Sequence, residues 1–226
     1  MTPAVKWLIW VNVAAFVLTT FVAGLTIPFG LTPAAVFGEL WIWQVVTYMF
    51  LHAGLGHILF NMLTLWMFGV ELERRWGTPY FLQYYFVVGV GAALTTLVVS
   101  LLPFAFAAPL YFSSTIGASG AVYGLLMAYA LYFPDRPIYM YFFFPIPAKY
   151  FVLILGAISF FLSISDTRGG VAHATHLGGL IFGYAYLKRG RGGLAGELKY
   201  RYLKWKMNRL RKRFDVVSGG RSDRIH

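Results

Sequence analysis

The chain has 226 residues, 59% of them hydrophobic and only 12% charged. Soluble domains carry about 25% charged residues, so the composition argues against a soluble enzyme and for a polytopic membrane protein. Cysteine is absent, which excludes a disulfide framework and thiol catalysis. The net charge is +11, yet residues 188–226 hold 13 Lys+Arg and 3 Asp+Glu, leaving +1 for the first 187. The expected organisation is one membrane domain, 1–187, and a basic tail, 188–226.

A first apolar segment runs from about Val5 to Ile27, long enough to cross a ~30 Å hydrocarbon core. A signal peptide competes for this stretch, with Lys6 before it and Ala23 and Gly24 after it; the length of the run and the spans that follow favour a membrane helix. Pro28 to Tyr48 is apolar but broken by Pro28, Gly30, Pro33 and Gly38, and it carries Trp41 and Trp43. Tryptophan anchors segments at the lipid–water boundary, so a first loop with short interfacial helices is expected.

Segment two runs from about Gly56 to Leu72 and ends in charges from Glu71 to Arg75. Segment three covers about Tyr80 to Leu102, followed by an uncharged loop to Thr115. Segment four covers about Gly117 to Tyr132, before an aromatic run ending at Pro147. Segment five runs from about Ala148 to Ile164, and segment six from about Val171 to Leu187. The fold class read from this pattern is all-α with six transmembrane helices. Lys6, Arg74, Arg75, Arg136, Lys149 and the tail then share one side, and only Arg168 lies opposite; the positive-inside rule makes both termini cytoplasmic.

Ionisable groups inside a bilayer are costly and mark function. Four histidines fall in two clusters: His52 with His57, and His173 with His176. His57 and Asn61, four apart, share a helix face and offer two donors for an oxyanion. The commoner role for either alone is an interhelical hydrogen bond. Ser119 lies in Gly117-Ala118-Ser119-Gly120, at the start of segment four. A hydroxyl is a weak nucleophile until a base takes its proton. Either His173 or His176 could serve, and His176 is preferred because Leu177-Gly178-Gly179 follows it. Tyr123, one turn after Ser119, is placed to pack on that imidazole. No Asp or Glu is positioned as a third member, so a Ser119–His176 dyad is expected. Unpaired N–H groups at the start of segment four would add to the oxyanion hole.

Segment four spans only ~24 Å, so its start should be recessed, in a wet cavity. Gly120 and Gly124 on segment four, and Gly179 and Gly183 on segment six, are small residues four apart that let membrane helices touch; Gly117 joins them as a candidate packing residue. Together these features describe an intramembrane serine protease.

Three motifs in order resemble those of the rhomboid intramembrane proteases: His57-x-x-x-Asn61 after His52-Ala53-Gly54, Gly117-Ala118-Ser119-Gly120, and His173-Ala-Thr-His176-Leu-Gly-Gly179. The resemblance covers about Val5 to Leu187. It implies a prokaryotic six-helix rhomboid in the cell membrane that opens to the extracytoplasmic side and cleaves single-pass membrane proteins in or near their transmembrane segments. By motif position, Ser119 would be the nucleophile and His176 the base. His57, Asn61 and the Ser119 backbone would form the oxyanion hole, and Tyr123 would stack on the histidine. Glu73, Arg75 and Gly77 match a structural motif. The family's Trp-Arg in the first loop is Trp43-Gln44 here, which puts loop stability in question. The resemblance also suggests substrate access beside segment five, near Phe151, Phe160 and Phe161.

No cofactor and no nucleic-acid partner are expected. Residues 195–214 could form a basic amphipathic helix on anionic headgroups, with 215–226 disordered. Two other readings remain open. A metal-dependent protein would use His52, His57, His173 and His176 as ligands, although no carboxylate stands beside them. A non-catalytic binding factor would share the fold without an activated serine.

Overall fold

A computed structural model describes residues 1–22, 24–104, 107–140, 144–165, 171–190 and 206. The expected tail helix and the loop residues Asp166 and Arg168 lie outside these. The chain divides into two units, Met1–Tyr186 and Leu187–His226; the first holds the site.

Among the described residues three helices are long and apolar enough to cross a membrane: α1 (Pro3–Phe21), the continuous Leu55–Trp76, and α7 (Thr78–Ser100). Between α1 and Leu55 come three short helices, α2 (Thr26–Phe29), α3 (Pro33–Gly38) and α4 (Gln44–Thr47). The helix from Leu55 comprises α5 (Leu55–Thr64), a π-type turn (Leu65–Gly69) and α6 (Val70–Trp76). Two shorter apolar helices follow, α9 (Ser119–Tyr132) and α10 (Ala148–Ser165), then α11 (Val171–Gly190).

Two segments differ from the sequence expectation. The uncharged loop after α7 contains a helix, α8 (Ala107–Phe112). The aromatic run before Pro147 forms an antiparallel hairpin of β1 (Pro137–Met140) and β2 (Phe144–Pro147). Ile138 pairs with Ile146 and Tyr139 with Pro145, and Pro145 and Pro147 sit where a two-stranded ladder tolerates a missing donor.

α7 is the central helix. Phe81, Tyr84, Tyr85 and Val88 are fully buried on it. Lipid tails are as apolar as leucine, so contact between membrane helices depends on close packing and hydrogen bonds. Both occur here. The Tyr84 hydroxyl donates to the Gly124 carbonyl of α9 at 2.6 Å, and the Thr96 and Thr175 hydroxyls join α7 to α11 at 2.6 Å. Gly91 and Gly178 face Phe182 and Thr95 with no room for a Cβ.

Glu73, 2% exposed, ties three helices together. Its carboxylate accepts the backbone N–H groups of Ala4 and Val5 at 2.9 and 3.0 Å and the Thr78 hydroxyl at 2.6 Å. The first N–H groups of a helix have no internal partner, and a carboxylate there also meets the positive end of the helix dipole.

Candidate active site

α9 begins at Ser119, because Gly117 turns the chain with a φ of +127°, a conformation that disfavours side chains. The Gly117 N–H donates to the Tyr48 carbonyl at 2.8 Å, and an isolated bridge pairs Leu31 with Thr115. The approach to Ser119 is thereby fastened to the first loop at two points. Gly117 stands just before α9 and is buried, in close approach to His57 of α5.

The α9–α11 seam is formed by Gly120, Gly124, Gly179 and Gly183. A Cβ on Gly179 would run into the Gly120 carbonyl, and one on Gly183 would meet the Gly124 Cα at 3.0 Å. With the backbones in contact, Ser119 Oγ and His176 Nε2 come to 2.7 Å. Both side chains are half-buried, so the pair is packed yet reachable. The Tyr123 ring lies on the His176 ring, centroids 4.1 Å apart and planes 7° from parallel. The Tyr123 hydroxyl is hydrogen-bonded to Ser159 of α10, which holds the ring from its far end. His173 sits 6.1 Å from His176, ring to ring and edge-on; it does not reach Ser119 through any described contact.

On the other side of Ser119, His57 Nδ1 accepts a long hydrogen bond from the Ala53 N–H at 3.4 Å. An imidazole nitrogen that accepts leaves the proton on the other nitrogen, so Nε2 of His57 is the donor. A Cβ built on Gly117 would lie 2.8 Å from that Nε2 and 3.7 Å from Ser119 Oγ. His57 and Ser119 therefore border one small space that the missing Gly117 side chain leaves open. Asn61 is buried, and its amide donates to the His57 carbonyl at 2.8 Å. One of its two N–H groups is thus committed to its own helix and the second remains. His52 is buried edge-on to His57, centroids 5.0 Å apart. Among the described residues no group of three or more metal-ligating side chains converges.

Gln44 replaces the expected arginine and is fully buried. Its Oε1 accepts the Thr32 N–H at 2.9 Å, and its Nε2 donates to the Ile27 and Pro28 carbonyls at 3.3 Å. Trp43 Nε1 donates to the same Pro28 carbonyl at 2.7 Å. The first loop is therefore pinned by a neutral amide.

A family model described as Rhomboid domain matches residues 39–190. Rhomboid protease GluP of Bacillus subtilis is 31% identical over 144 residues, 63% of this chain and 25% of that protein. Rhomboid protein 1, mitochondrial, of Saccharomyces cerevisiae is 31% identical over 145 residues, 63% of this chain and 40% of its own. Rhomboid protease AarA of Providencia stuartii is 30% identical over 153 residues, 62% of this chain and 53% of its own. The aligned part spans between a quarter and about half of these relatives. The family match covers well over half of the chain and includes α5, α9 and α11, so the chain belongs to the rhomboid family and is a multi-pass membrane protein.

Proposed function

We propose that this protein is an intramembrane serine protease that hydrolyses peptide bonds in or near the transmembrane segments of single-pass membrane proteins. The observation that carries this reading is the 2.7 Å contact of Ser119 Oγ with His176 Nε2 beneath a stacked Tyr123. The serine hydroxyl donates to Nε2, which takes the proton as the oxygen attacks the scissile carbonyl. The tetrahedral oxyanion forms in the space beside Gly117. There the Nε2–H of His57, the free N–H of Asn61 and the backbone N–H of Ser119 would stabilise it. His176 then returns the proton to the leaving amine, and water repeats the sequence on the acyl-enzyme.

In this reading residues 1–187 form a six-helix domain with both termini cytoplasmic, and the dyad opens to the extracytoplasmic side of the cell membrane. Loop charges support that orientation. The basic tail would rest on anionic headgroups.

The test is labelling by a fluorophosphonate probe, with Ser119→Ala as control. Labelling of the native protein alone, together with cleavage of a membrane substrate, supports the protease. A folded native protein that neither labels nor cleaves favours a binding factor.

A further inference from the structure

A cleft of about 870 Å³ opens beside α6, away from the dyad. Met1, Trp66, Met67, Val70 and Phe133 give it an apolar lining, and Glu71, Arg74 and Arg75 line it too. Trp66 and Met67 are about half exposed, so the apolar lining is uncovered. The single acid in the lining is already neutralised, because the Glu71 carboxylate pairs with Arg136. The Arg75 guanidinium carbon lies over the Tyr132 and Phe133 rings, 4.9 and 5.8 Å from their centroids. A cation–π contact uses no oxygen acceptor, so it is compatible with N–H bonds to a phosphate. Arg74 is exposed and makes no ion pair among the described residues. Two adjacent, exposed guanidiniums therefore line an uncovered apolar trough.

We propose that this cleft binds one anionic phospholipid, with its phosphate on Arg74 and Arg75 and an acyl chain along Trp66, Met67 and Val70. The chemistry is complementary at both ends. Guanidinium edges match phosphate oxygens in pairs, and basic pockets between membrane helices take acidic headgroups. A zwitterionic lipid would satisfy the trough but set its choline or ethanolamine against the second arginine. A free anion would satisfy the arginines but leave the trough open. The inference is independent of the proteolytic reading.

The full chain is reconstituted with phosphatidylglycerol carrying a photoreactive diazirine in its acyl chain, or with phosphatidylcholine carrying the same chain. Cross-links are mapped by peptide mass spectrometry, and the basic tail serves as an internal comparison. The site predicts cross-links concentrated at residues 66–70, several-fold stronger for phosphatidylglycerol. Arg74→Gln, an exposed position, should bring the two lipids level at 66–70 and leave labelling of the tail unchanged. Trp66→Ala, also exposed, should lower labelling by both lipids. Millimolar glycerol phosphate should not compete. Equal labelling by both lipids in the native protein, an unchanged preference in Arg74→Gln, or complete competition by glycerol phosphate would overturn the proposal.

Discussion

Ser119 Oγ and His176 Nε2 meet at 2.7 Å although 57 residues separate them in the chain. The meeting depends on backbone contact between α9 and α11, and it gives the first prediction. Ser119→Ala should leave the protein folded, since the serine is half-buried and only a hydroxyl is lost. Turnover of a reconstituted membrane substrate should fall at least ~10³-fold, because triad-type sites keep only the residue of rate due to binding and the oxyanion hole. An unaltered rate in a variant with native thermal unfolding would remove Ser119 from the reaction.

Tyr123 offers a finer test. Tyr123→Phe keeps the ring on His176 and loses the bond to Ser159, so turnover should change by only a few-fold. Tyr123→Ala removes the platform and should lower kcat about 10-fold or more, with KM little affected. Equal losses in the two variants would mean that the hydroxyl, not the stacked ring, is what matters.

Replacing His57 by Ala removes the imidazole that borders the space beside Gly117 and Ser119. Loss of a single oxyanion donor costs about 10²–10³ in kcat, and that range is expected here. Asn61→Ala should also lower kcat, but its effect should not add fully to that of His57→Ala, because in the proposed mechanism both donors serve the same oxyanion. A double-mutant cycle measures the coupling; strict additivity would show that the two act separately.

Gly179→Ala places a methyl group against the Gly120 backbone, which has no flexible end to move aside. Loss of both activity and thermal stability is expected. Gly56→Ala is the control: nothing lies within 4 Å of a Cβ there, so stability should hold or rise by a few tenths of a kcal/mol.

Gln44→Ala strips the Thr32 N–H and the Ile27 carbonyl of their side-chain partner. Leaving a buried polar group unpaired costs about 1–3 kcal/mol. Thermal unfolding in detergent should shift down accordingly, and Gln44→Glu, which sets a buried carboxylate against the Ile27 and Pro28 carbonyls, should shift it at least as far. No shift in either variant would mean that the loop is held elsewhere.

The helices were legible because an apolar run of about 20 residues has few alternatives in lipid; α1, α5–α6, α7 and α9 begin within a few residues of where composition places them. The hairpin at 137–147 was not, since its turn lacks the Asn-Gly or Asp-Gly signal and its aromatic residues read equally as interfacial coil. α8 is six residues long, too short for periodicity to register. At the site, Ser119, His176, His57 and Asn61 stood out as polar groups in apolar surroundings. The role of Gln44 did not, because its partners lie 12 to 17 residues away and are backbone groups. The arginine expected at that position suggested a weakened loop; an amide has both a donor and an acceptor end, and the loop uses both.

The Leu31–Thr115 bridge and the bond from Gly117 to Tyr48 make the first loop and the residues leading to Ser119 a single piece. A displacement of that loop is therefore passed toward Ser119 through these two backbone contacts. On the proposed protease reading, a small molecule that grips residues 28–50 would thus slow turnover without touching Ser119 or His176.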